Sequence, residues 1–178
     1  MATLVITVVG DDRPGLVSAL ADVIAQHSGS WERSQLAELA GKFAGIVTVD
    51  VPEDRASGLA EALGGLTGVL DTTVHTARPQ PERSGEGEVL HLDLIGNDRP
   101  GIIQEITAAL TEQQVSVEDL QTKVVPTPQA GGDLFAARAR LRVPDDADLP
   151  ALRGALERIA QELMVDLSFE PEDDAGWE

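Results

Sequence analysis

The sequence predicts an α+β protein made of two copies of one βαββαβ unit. Each copy is expected to form an antiparallel four-stranded sheet with two helices on one face. Three observations predict this. A six-residue string recurs 86 positions apart, as GDDRPG at Gly10–Gly15 and GNDRPG at Gly96–Gly101. Each copy of the string follows an apolar, strand-like run and precedes a run with apolar residues at helical spacing. The same succession of strand and helix patterns then follows each copy, so the chain reads as a tandem repeat.

In the first unit, Leu4 to Val9 is continuously apolar or β-branched, as in a central strand covered by helices. Leu16, Leu20, Val23, Ile24 and His27 fall on one helical stripe that stops near Gly29. Trp31 to Leu39 reads as a second strand, Gly41-Lys42 as a turn, and Phe43 to Val51 as a third strand closed by Pro52. Phe43, Gly45, Val47, Val49 and Val51 share one face of it. A second helix begins near Glu53-Asp54 and carries Leu59, Ala60, Leu63 and Leu66; Val69 to Thr76 is the fourth strand.

The second unit repeats the order. Leu90, Leu92 and Leu94 alternate with His91, Asp93 and Ile95, and Ile102, Ile103, Ile106 and Leu110 form the next buried stripe. Strands are expected at Val117 to Val125 and Leu134 to Val143. Leu149, Leu152, Leu156, Ile159 and Leu163 mark a strongly amphipathic helix, and Val165, Leu167 and Phe169 alternate in the last strand. This order is the split βαβ, ferredoxin-like arrangement, whose right-handed crossovers put both helices on one sheet face. The expected organisation is a first domain over 1–78, a linker over 79–87, a second domain over 88–170 and an acidic tail over 171–178. Pro126 to Gly132 is expected to be a longer hairpin loop without a counterpart in the first unit.

At 178 residues with 42% hydrophobic content, two small globular units fit. Units of that size bury a modest share of their surface and are expected to pair with each other or with another chain. The chain has no cysteine, which removes disulfides, thiolate metal sites and a cysteine nucleophile. His27, His75 and His91 have no metal-ligand spacing, and no metal or cofactor is expected. The net charge is −18, with −5 in residues 1–78 and −8 in residues 88–170, so both units are acidic. Such a surface repels a phosphate backbone, and direct nucleic-acid binding is not expected. Base stacking on the sheet would need aromatics, of which the chain has two tryptophans and three phenylalanines. No apolar run reaches membrane-spanning length, and Met1-Ala2-Thr3 leads straight into a strand. No membrane span or secretory signal is expected, and the expected location is the cytoplasm.

The repeated string carries the candidate chemistry. Gly10 and Gly96 are expected to end a strand at a sharp turn. Asp12 and Asp98 are placed to cap the next helix. Pro14 and Pro100 suit its first turn, and Gly15 and Gly101 suit a close backbone approach. The first-turn N–H groups of Gly15, Leu16 and Val17 then lack helical partners, and with the helix dipole they favour a carboxylate or phosphate. A neighbouring acidic side chain could accept from an α-ammonium group, so a free amino acid fits both demands. The same string is also sound turn-and-cap chemistry without a ligand. Arg13 and Arg99 could hold an anion, although exposed arginines are more often solvated.

Together with that string, the first unit carries Ser30-Trp31-Glu32-Arg33-Ser34-Gln35-Leu36-Ala37 and Gly41-Lys42-Phe43-Ala44-Gly45. The second carries Pro126 to Leu134-Phe135 and Val143-Pro144. In this order, over about residues 3–170, the chain resembles the tandem ACT-domain proteins of the glycine cleavage system transcriptional repressor family. The resemblance implies two ACT domains and regulation by a small ligand, usually an amino acid, with glycine or serine as first guesses. It implies a ligand seat between the strand-to-helix loop of one domain and the second strand of a paired domain. By position the loops are Gly10, Asp11, Asp12, Arg13, Pro14, Gly15 and Leu16, and Gly96, Asn97, Asp98, Arg99, Pro100, Gly101 and Ile102. The facing strand starts are Ser30-Trp31-Glu32 and Ser116-Val117-Glu118. The sequence departs from the family at Ser30, where Asn is frequent, and at Gln35. The Asn97 amide can donate to a carboxylate that Asp11 would repel, which ranks the second loop above the first.

Arg138, Arg140 and Arg142 share one strand face, with Ala137, Ala139 and Leu141 on the other. A solvated face with cross-strand partners such as Asp93 is the simpler expectation for the arginines; a docking strip is the sharper one. Trp31 is expected to pack rather than stack on a ligand, and His27 to be structural. No catalytic triad can be drawn from chain order. The expected function is therefore a non-enzymatic regulator that binds an amino acid, forms a homo-oligomer (a dimer through its sheets) and affects transcription through a protein partner. The alternative is a ligand-free ACT-type assembly module. A phosphate-handling enzyme of the same fold would use Asn97 and Arg99, but the loop spacing does not match.

Overall fold

The computed structural model describes residues 1–77, 87–127 and 132–171. The chain divides into two compact units, Met1–Pro81 and Glu82–Glu178. The first contains β1 (Ala2–Asp11), α1 (Leu16–Gln26), β2 (Ser30–Leu39), β3 (Lys42–Val51), α2 (Glu53–Gly64) and β4 (Asp71–Thr76). The second contains β5 (Glu88–Asn97), α3 (Ile102–Glu112), β6 (Ser116–Thr127), β7 (Gly132–Val143), α4 (Leu149–Leu163) and β8 (Val165–Pro171). The sheets run β2-β3-β1-β4 and β6-β7-β5-β8, with every pairing antiparallel. The expected fold is observed in both halves.

Alternation sets the two cores. Leu4, Ile6 and Val8 of β1 and Val47, Val49 and Val51 of β3 are buried against Leu16, Leu20 and Ile24 of α1 and Leu59 and Leu63 of α2. In the second unit Leu90, Leu92, Leu94, Ala137, Ala139 and Leu141 lie under Ile102, Ile106, Leu110, Leu152, Leu156 and Leu163. Each such leucine or isoleucine contributes about 1.5–3 kcal/mol by leaving water. Among the described residues no polar or charged residue is buried.

The bounds differ from expectation in small ways. Lys42 opens β3 rather than closing a turn, because Ala40 (φ 52°) and Gly41 (φ 77°) make the turn by themselves. β4 starts at Asp71, because Val69 and Leu70 bond back to the Leu66 carbonyl in the preceding turn. Most of the expected linker, residues 128–131 of the expected hairpin loop and residues 172–178 of the expected tail lie outside the described residues; Pro126, Thr127 and Gly132 belong to β6 and β7 rather than to a loop, and Pro171 ends β8.

Candidate functional site

In the first unit β1 runs through Gly10 to Asp11, and α1 begins at Leu16. The intervening loop is pinned from both sides. The Asp12 N–H donates to the Gly41 carbonyl at 2.9 Å, joining the loop to the β2–β3 turn. The Arg13 guanidinium donates to the Gly68 carbonyl at 3.1 Å, joining it to the turn before β4. The Lys42 ammonium pairs with the Asp11 carboxylate, as their opposed positions in the β1–β3 register allow. That hydrogen bond and the charge of Lys42 hold the Asp11 carboxyl below its usual range, with a smaller contribution from Arg13.

The second loop has the same backbone path and different side-chain partners. The Asp98 N–H donates to the Asp133 carbonyl at 2.8 Å, the counterpart of the Asp12 bond. Arg99, however, reaches forward to Glu105 of α3, with Nη2 3.4 Å from Oε1. The same Glu105 oxygen would stand 3.7 Å from a Cβ built on Gly101, so it lies beside the start of the helix. The position equivalent to Glu105 in the first unit is Ala19.

Three expectations about the string are corrected. Asp12 and Asp98 do not cap: the residues next to the helices are Gly15 and Gly101, and neither α1 nor α3 has a side-chain cap on its first N–H groups. A cap must sit immediately before the helix, and each aspartate is three residues too early. Asp148 shows the contrast, since it accepts from the Ala151 N–H at 2.9 Å at the start of α4. Pro14 and Pro100 lie in the turn before the helix, not in its first turn.

The glycine roles are exchanged as well. Gly15 has open space around it and Gly101 meets only the Glu105 carboxylate at ordinary contact distance; both are glycine because φ is +94° and +98°. Gly10 and Gly96 lie inside strands and serve close approach. A Cβ on Gly10 would stand 2.8 Å from the Val69 carbonyl oxygen, and one on Gly96 2.8 Å from the Val165 Cα. The helix starts therefore leave the N–H groups of Leu16, Val17 and Ser18, and of Ile102, Ile103 and Gln104, without helical carbonyl partners.

Each unit's loop and its strand start lie at opposite ends of the same sheet. Gly10 pairs with Phe43, whereas Ser30 and Trp31 pair with Asp50 and Val49, which pair with Thr3 and Leu4. Seven residues of strand separate these levels, roughly 20 Å. The second unit matches, with Gly96 opposite Phe135, and Ser116 and Val117 opposite Arg142 and Leu141. A site that used both a loop and a strand start would need a second unit to supply one of them.

Trp31 is half-buried and packs on the first core, while Val117 in its place is exposed. A β-bulge follows each strand start, between Trp31 and Arg33 and between Val117 and Asp119. In the second unit the bulged Glu118 is bonded by both Arg140 and Arg142, and Arg142 also donates to the Gly87 carbonyl at 3.5 Å. Arg138 pairs with Asp93 at 2.8 Å, as expected for a cross-strand partner. Thr48 and Asp50 hold the positions of Arg140 and Arg142 in the first unit.

Lys42, Gly68, Glu105 and Asp133 take part in the loops and were not among the expected site residues. Glu105 was accessible to the sequence, because it falls one helical turn after Gly101. The Gly68 contact was not, because it depends on how the α2–β4 turn packs. Among the described residues no group of three His, Asp or Glu could hold a metal ion. No helix among them is long and apolar enough to cross a membrane.

Two ferredoxin-like units in tandem, each with a strand-to-helix loop turned by a left-handed glycine, define the class of the protein. The ACT domain model matches residues 2–76 and again residues 88–170, and the chain belongs to the ACT domain family, in two copies. The chain is 24% identical to the glycine cleavage system transcriptional repressor of Escherichia coli K12 over 164 residues, covering 90% of this chain and 85% of that protein. It is 38% identical over 81 residues to a UPF0237 protein of Methanopyrus kandleri, covering 45% of this chain and 83% of that one. The crystal structure of an unknown protein from Galdieria sulphuraria superposes with a TM-score of 0.88 at 27% identity, covering 97% of this chain and 99% of the other.

Proposed function

We propose that the protein is a non-enzymatic regulator that binds an amino acid, or a zwitterion of similar size, at its strand-to-helix loops. One observation carries the reading. A duplicated loop ends in a left-handed glycine, no side chain caps the helix that follows, and α1 has no acidic residue in its first turn. Those amides and the helix dipole attract a carboxylate by about 0.3–1 kcal/mol, more where the seat is partly buried. The Asp12 and Asp98 carboxylates are left free of capping and can accept from an ammonium group. Membership in the ACT domain family supports the same reading.

The strand starts Ser30-Trp31 and Ser116-Val117 complete the seat from a paired unit, either the chain's own other unit or one of a second copy in a homo-oligomer. The resemblance to a transcriptional repressor supports a role in controlling glycine metabolism in the cytoplasm, acting through a protein partner because the surface is acidic. Titration of the full chain with glycine and serine by calorimetry tests the reading. Saturable heat with either supports it. Absence of heat and of any thermal shift with both, and with the other common amino acids, refutes it.

A second reading, a ligand-free assembly module, draws on edge strand β6, where Val117, Leu120, Val124 and Val125 are exposed. Light scattering separates the two, since a module that only assembles keeps its mass when amino acids are added.

A further inference from the structure

We propose that the two loops are unequal: the pair Glu105–Arg99 holds the second loop closed to carboxylates, and the first loop is the ligand-responsive one. The proposal rests on the reading that a small zwitterion's carboxylate is drawn to these loops, and it says which loop answers.

The loop itself carries the argument. On the loop side, the second unit brings its own anion. The Glu105 carboxylate stands beside Gly101 and is paired with Arg99 at 3.4 Å. An incoming carboxylate meets a like charge there and finds the arginine engaged. In the first unit Ala19 takes the place of Glu105 and supplies no charge. Arg13 is held by the Gly68 carbonyl rather than by a carboxylate, and its charge acts on Asp11 only as a minor contribution beside Lys42. Asp11, the residue that would repel a ligand, is occupied by Lys42.

On the strand side, the second unit is also fastened. Glu118 sits in the bulge beside Val117 and is held by Arg140 and Arg142, and Arg142 is bonded in turn to the Gly87 carbonyl. The side chain of Glu118 is only 26% exposed, so this cluster is screened less than a surface pair. The equivalent Glu32 is exposed and has Thr48 and Asp50 where the arginines would be. The Glu32 side chain thus keeps a freedom that Glu118 has lost; this difference lies at the other end of the sheet from the second loop and bears on whichever loop faces that strand start, not on the closure at Glu105.

The test uses the full chain and two variants, Glu105→Ala and Ala19→Glu, with Glu105→Gln as a milder second removal of charge and circular dichroism to check folding. Calorimetry with glycine and with serine is expected to give one equivalent per wild-type chain and two for Glu105→Ala. Ala19→Glu is expected to bind at least about tenfold more weakly. Two equivalents in the wild type, or a stoichiometry unchanged by both Glu105 variants, overturns the proposal.

A second probe keeps the proposal apart from the amino-acid reading. Sodium acetate, titrated against the amide resonances, is expected to shift those of residues 15–18 in the wild type. It should shift those of residues 101–104 only after Glu105 is replaced. That pattern without glycine or serine binding sinks the amino-acid reading and leaves the closed loop standing. Equal shifts at both loops of the wild type, or none at residues 101–104 in either Glu105 variant, overturns the closed loop.

Discussion

The two strand-to-helix loops share a backbone and differ in what their charges do. Both run from a close-packed strand glycine to a left-handed glycine, and both tie an aspartate N–H to the neighbouring hairpin. In the first, Arg13 is turned to a carbonyl and Asp11 to Lys42. In the second, Arg99 is turned to a carboxylate on its own helix. Duplication has kept the path of the chain and changed the side chains around it. Likeness of fold between the halves therefore does not carry likeness of chemistry.

The hairpins beside the loops give the largest expected effect. Gly45 lies where a Cβ would stand 2.1 Å from the Gln35 carbonyl oxygen and 2.8 Å from the Leu36 Cα, both backbone atoms. The equivalent position in the second unit holds Ala137, which is buried without difficulty. Gly45→Ala is expected to destabilise by about 2–4 kcal/mol and Ala137→Gly by about 1 kcal/mol, read from denaturant unfolding. Equal costs would mean that the two hairpins pack alike.

The loop glycines come next. Gly15→Ala and Gly101→Ala are each expected to cost about 1–2 kcal/mol, because both positions require positive φ and neither is crowded. A clear difference between them would show that the shared backbone path is not equally required. Asp148→Ala should cost about 1 kcal/mol through loss of the cap on α4. Alanine at Asp12 or Asp98, which cap nothing, should leave stability nearly unchanged in the same unfolding assay.

The smallest effect is one of pH. Lys42 depresses the Asp11 pKa, so the pair's contribution is present above the ordinary carboxylate range and is lost as the pH falls through the depressed value. Lys42→Met is expected to move the Asp11 titration up toward the ordinary value, followed by NMR of its carboxyl carbon. An Asp11 titration indifferent to Lys42 would mean that the first loop is not neutralised in the way proposed.

The fold was legible because both its periods are strong. Leu90, Leu92 and Leu94 alternate as a half-buried strand must, and Leu149, Leu152, Leu156 and Leu163 recur at helical spacing. The repeated string gave the two units their common frame. Side-chain roles within the string were less legible. Asp12 before Pro14-Gly15 has the composition of a cap, but capping depends on which residue lies next to the helix. That is set by the left-handed glycine, not by the count of acidic residues. Within the string the loops differ visibly at Asp11 and Asn97. Lys42, which reaches Asp11 across a strand pair, and Glu105, one turn further on, both lie outside it.

The absence of buried ionisable residues, among the described residues, has a consequence for behaviour in acid. Among the described residues neither core hides a group that must gain or lose a proton when the chain unfolds. Acidity therefore reaches the fold only through its skin, where most charges are negative. As the medium approaches the isoelectric point near 4.3, mutual repulsion among those carboxylates fades. The hazard there is coagulation between molecules rather than collapse from within.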